Sequence, residues 1–273
     1  MENKKRTEGD HFKFGAIALA NLLPVVGYFV FSWGYTAVFL LYWVDIVALW
    51  LVYCGCALFA QRRSHYEERE QQILIQPLGD QFWSDTPRTI GPLPPIYPRN
   101  LRVIIPTGVF IVLASFVLGA ALLERTPGEG MPGHTVGNPE AFLANFSVLT
   151  SPSLFGTALL FIAIHIATTY RIYIRPQKYK EMSAYSILEL PARFILIYLG
   201  GLMMLIPVFF VGLLIAEFIS SDSLAGVLPY ALFVTLKLAL ERGRFHAERS
   251  APADGFPSWF VPDDPRSEQT QSD

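Results

Sequence analysis

Six stretches of the chain are almost free of charge and long enough to cross a hydrocarbon core of about 30 Å: residues 14–31, 35–60, 103–123, 154–174, 194–216 and 224–240. Together they hold only Asp45, Arg171 and Lys237, out of 21 Lys or Arg and 23 Asp or Glu in the chain. Each charge at the centre of a span costs about 2.5–3.5 kcal/mol on insertion scales, so the depletion is the mark of lipid. The pattern predicts an all-α integral membrane protein, a bundle of six transmembrane helices. Lys4, Lys5 and Arg6 before the first run resemble the start of a secretory signal. That run, however, ends in Ser32-Trp33-Gly34-Tyr35 with no small-x-small cleavage site, and it is read as a retained helix.

The polar positions between the runs set the organisation. Residues 1–13 form an amino-terminal segment, 14–249 a six-span membrane domain, and 250–273 a polar tail expected to be disordered. Spans one and two are joined only by Ser32-Trp33-Gly34, which allows nothing but a tight helical hairpin. The stretch 61–102 starts with a charged run, Arg62 to Glu70, expected to extend span two as helix. It then carries Pro77, Pro87, Pro92, Pro94, Pro95 and Pro98, which exclude regular helix or sheet. The segment 124–153 is also rich in Gly and Pro.

Charge then orients the bundle. With six spans, and with Arg171 and Lys237 counted at the membrane edges of spans four and six, 20 of the 21 Lys and Arg residues fall on one side of the membrane and only Arg125 on the other. The positive-inside rule places both termini, and loop 61–102, in the cytoplasm of a cell whose plasma membrane holds the protein. An odd number of spans would destroy this partition. The fifth segment stays apolar from Phe194 to Ile219, nearly 40 Å at about 1.5 Å per residue, and Gly200-Gly201 and Pro207 predict a kink or tilt in it.

Composition narrows the function classes. Only 16% of residues are charged, against about 25% in ordinary soluble domains, while 52% are hydrophobic. A net charge of −2 offers no field to gather nucleic acid, so none is expected as a partner; the partner is the lipid bilayer, and a homo-oligomer is compatible with the sequence. Cys54 and Cys56 lie about 200° apart around a helix, so they read as small apolar residues and not as a bridge or a metal pair. No G-x-S-x-G, HExxH, phosphate loop or GxGxxG occurs. No enzyme activity, cofactor or metal site is therefore expected.

Ionisable and amide groups at depth carry the functional reading. Asp45 lies ten residues inside span two and His165 eleven residues inside span four, each about 15 Å deep. Folding the hairpin back about Trp33-Gly34 brings Asn21 to the level of Asp45. Pro24 leaves the Ala20 carbonyl without its helical donor at that depth. Two readings stay open. Asn21, Asp45 and His165 line a small hydrated site for a proton or cation, or Asp45 bonds to Asn21 as interhelical glue. Lys237 is expected to snorkel to the interface. Glu189 and Arg193, spaced i, i+4 around Pro191, are expected to form an ion pair at the interfacial start of span five.

The run Asn21-Leu-Leu-Pro24-Val-Val-Gly27, then Trp33, then Leu41-Tyr42-Trp43-Val44-Asp45, resembles the opening hairpin of a family of uncharacterised prokaryotic, often archaeal, multi-pass membrane proteins known only as a domain of unknown function. His165, Arg193, Leu236-Lys237, Glu241 and His246 resemble its later segments, so the likeness covers roughly 20–250. The chain departs from the family pattern at Ile46, where Asn is usual, and at Ile164, where Ser is usual. The resemblance implies a multi-pass membrane fold and brings no activity, substrate or ion with it.

Overall fold

The computed structural model describes residues 2–64, 72–79, 83–124, 140, 145–218, 222–248 and 255–262. Among them the fold is all-helical, with no named strand. Six long helices are present: α1 Glu2–Val30, α2 Tyr35–Leu58, α3 Leu101–Glu124, α4 Pro152–Thr169, α5 Ala184–Phe218 and α6 Asp222–Ala247. Each contains most or all of one expected span. Three helical stretches, Thr36–Leu58, Pro152–Ile174 and Ala184–Met204, are long and apolar enough to cross a membrane; Ile17–Val30 is a shorter apolar helix.

The chain divides into two compact units. One runs from Gly27 to Ala192 and centres on α2 and α4. Residues Leu154, Thr157, Ala158, Phe161, His165 and Thr169 of α4 recur every three or four positions and are buried, the stripe a helix needs to pack on a neighbour. Helix α2 buries Leu41, Tyr42, Asp45, Leu49, Trp50 and Tyr53. Past Thr169, α4 continues as one π-helical turn, Tyr170–Ile174, closed by the Arg175 N–H donating to the Tyr170 carbonyl at 2.8 Å. Its Tyr173 ring meets Tyr53 of α2 edge-on, with centroids 5.6 Å apart.

At the hairpin, Ser32 takes a left-handed conformation (φ 53°) and ends α1. Trp33 then lies back on Gly27, where a Cβ would sit 1.9 Å from the indole, so only glycine fits under the ring.

At the far end of α2, Asn100 supplies a side-chain donor. Its Nδ2 donates to the carbonyls of Ala57, Leu58 and Ala60 at 2.9, 3.3 and 2.8 Å, adding to the Ala60 N–H that already serves Ala57 and the Tyr97 N–H that serves Leu58. The chain there is not the helical extension expected from the sequence. Helix α2 stops at Leu58, and Gln61 and Arg62 donate their N–H groups to the carbonyls of Tyr179 and Met182. These bonds to a distant stretch of the chain replace the i, i−4 ladder; the rest of that charged run lies outside the described residues. The proline-rich stretch is irregular, as expected, with one antiparallel bridge, Arg88 to Ile96, around Gly91 at φ 56°. Arg63 and Arg99 both bond Asp85.

The second unit holds Met1–Val26 and Arg193–Val261. Helices α5 and α6 approach closely where a Cβ on Gly201 would lie 2.9 Å from Leu236, and Tyr198 meets Phe233 edge-on at 5.7 Å. Phe14 of α1 meets Phe245 of α6 at 5.6 Å. Residues 255–262 fall in the tail expected to be disordered, yet Phe256–Phe260 form a 3-10 turn and Phe260 is fully buried.

Many large apolar side chains point outward, Leu19, Met203, Met204 and Leu214 among them. In water they would form patches far larger than a monomer exposes, whereas in lipid such a surface is ordinary.

Candidate functional site

Helix α2 carries Asp45 on the same face as Leu41, Tyr42 and Leu49, all buried. Helix α4 presents His165 on the stripe that also holds Phe161 and Thr169. Packing those two faces brings Asp45 Oδ1 within 2.7 Å of His165 Nε2, and both side chains are about 95% removed from solvent. The two groups that residue counting placed at one depth therefore meet directly. The apolar neighbours forced on them by the helix faces leave each with the other as a strong partner, since a buried carboxylate or imidazole without one is costly.

The pair can hold or release one proton. With the carboxylate ionised and the imidazole neutral it carries one negative charge, and uptake of a proton makes it neutral, whichever partner holds that proton.

Asn21 is buried, and its Nδ2 donates to the Ile17 carbonyl one turn back on α1 at 2.9 Å. It belongs to the other unit. Glu189 is fully buried, because α5 starts at Ala184, ten residues before the apolar run that defined span five. Arg193 is half-buried and donates from Nη1 to the Trp259 carbonyl at 3.3 Å. Cys54 and Cys56 are both free thiols.

Lys237 does not snorkel. It is fully buried, with Nζ 3.3 Å from Glu241 Oε1. Glu241 also accepts from Arg244 at 2.6 Å, and Arg244 stands 3.7 Å from Glu248. Glu241, Arg244 and Glu248 are buried too, so α6 carries a row of four charges out of solvent. Residue counting missed this row because it ended the span at Leu240 and left the next charges to water. The signal was present: Lys237, Glu241, Arg244 and Glu248 recur at spacings of four, three and four, on one helical face.

Residues 3–255 match a family of unknown function, DUF6498. The chain belongs to that family. The DUF6498 match takes in every residue of the Asp45–His165 pair and of the α6 row. Neither the curated proteins nor the solved structures yield a match.

Proposed function

We propose that this chain is a six-span integral protein of the plasma membrane, both termini cytoplasmic, in which the Asp45–His165 pair serves as a proton or cation site of a carrier or channel. No enzymatic step is part of this reading. The single observation that carries it is the 2.7 Å contact between two ionisable groups buried near the middle of apolar helices. Such groups are rare in lipid and, where they occur, usually serve an ion or proton path.

The test is flux into proteoliposomes holding the purified chain. Wild type should dissipate a proton or cation gradient, and Asp45→Asn and His165→Ala should each abolish the flux while keeping the helical fold. Vesicles no leakier than empty ones across a panel of cations and pH gradients would overturn the reading and leave the pair as interhelical glue. Orientation has its own check. A reporter active only in the cytoplasm should work when fused after residue 90 or 250 and fail when inserted near Gly130; activity at Gly130 would reverse the topology.

A further inference from the structure

The turn Phe256–Phe260 sits on the same unit as the α6 charge row. It is fastened at three points. Arg193 holds the Trp259 carbonyl, Phe260 packs on Phe194 with centroids 6.4 Å apart, and Phe256 and Phe260 both lie over Gly243. A Cβ at Gly243 would come within 2.5 Å of the Phe260 ring and 2.7 Å of Phe256, so the notch exists only because that residue is glycine. Phe194, the platform for Phe260, also lies under the two cations of the row: Lys237 Nζ and Arg244 Cζ are 5.9 and 5.7 Å from its ring centre. Gly243 is the neighbour of Arg244 in the chain.

We propose that residues 255–262 are a lid that keeps the Lys237–Glu241–Arg244–Glu248 row dry, and that the row becomes water-accessible when Phe260 leaves its notch. The physics makes such a lid reversible. Docking is favoured by burying the apolar Phe260, and it is opposed by stripping water from four charges, whose mutual attraction only partly offsets the loss. Water entering the open state would restore hydration to charges that are buried in the closed one. The lid also shows two faces. Phe260 is fully buried while Trp259 is 59% exposed, so one ring holds the notch and the adjacent one is left outside it.

Carboxylate labelling with a water-soluble carbodiimide and glycine ethyl ester, read by mass spectrometry on the full chain in detergent, tests the lid directly. Asp85, half-exposed, is the internal standard. In wild type, Glu241 and Glu248 should label at least tenfold more slowly than Asp85. Phe260→Ala, which empties the notch, and Gly243→Ala, which fills it, should each raise labelling at Glu241 and Glu248 severalfold and leave Asp85 unchanged. Trp259→Ala, which alters the outward ring, should not. Amide hydrogen exchange over 237–248 should rise in the same two variants while exchange over 152–169 stays as in wild type, which separates lid opening from unfolding. Rapid labelling of Glu241 in wild type, or no increase in either folded variant, would overturn the proposal.

Discussion

Asp45 and His165 are 120 residues apart in the chain and 2.7 Å apart in the structure. On the same buried faces Tyr42 lies one turn before Asp45 and Thr169 one turn after His165, with Leu41, Leu49 and Phe161 also buried. The contact between α2 and α4 is thus specified by chemistry as well as by shape.

Truncating the two partners should therefore have unequal effects. His165→Ala leaves a buried carboxyl without its imidazole and should cost about 3–5 kcal/mol if that carboxyl is ionised. Asp45→Asn keeps a hydrogen-bonding group of the same size and should cost about 1 kcal/mol or less, in line with the small couplings measured for polar pairs in membranes. Thermal unfolding of the two variants and of the double variant in one detergent gives the coupling; equal losses would mean the pair is neutral in the folded protein.

Gly27 and Trp33 make a second, purely steric prediction. Gly27→Ala should destabilise by about 1–3 kcal/mol, because a methyl group cannot share the space of the indole. The same substitution in a Trp33→Ala background should be nearly neutral, since the ring that excludes it is gone. Additive losses in the double variant would show that the two residues do not touch.

Within the α6 row the order of damage follows from who neutralises whom. Glu241 faces both Lys237 and Arg244, so Glu241→Gln removes the carboxylate these two buried cations share and should cost about 3–5 kcal/mol. Lys237→Met removes a charge whose partner still has Arg244, and its apolar stem is replaced in kind, so the loss should be smaller. Unfolding midpoints in the reverse order would refute this assignment of charges.

Asn100→Ala should lower stability by about 1–3 kcal/mol, the usual result of removing a buried amide donor, with the Ala60 carbonyl losing most because Ala57 and Leu58 keep the N–H groups of Ala60 and Tyr97. Asn100→Asp should be worse, because an ionised carboxylate would face the three oxygens that the amide now serves. Denaturant titration of both variants checks the ranking.

How much of this was legible in the sequence depends on the range of the physics involved. The six helices were, because each follows a long apolar run that can be read locally; three helical stretches are long and apolar enough to cross a membrane. The shared depth of Asp45 and His165 was, because rise per residue converts sequence position into depth; that the two side chains touch was not, since depth leaves the rotation of each helix open. The α6 row was not, since a hydropathy window stops at the first cluster of charge and cannot tell a buried ion pair from a solvated one. Asn100 was hidden for a different reason: its value lies in carbonyls that are 40 to 43 residues away. Phe260 was masked by the Pro, Asp and Ser around it, which read as tail although one ring among them finds a notch.

Asn100 has one more consequence. By bonding the end of α2 from the residue just before α3, it closes a ring of chain whose ends stay together whatever lies between them. A cut or an insertion in the turn between Arg88 and Ile96 therefore leaves the two helices joined through side chain and backbone. That turn is the natural port for an affinity tag or a fluorescent reporter, and a protease nick there should yield two fragments that still purify as one.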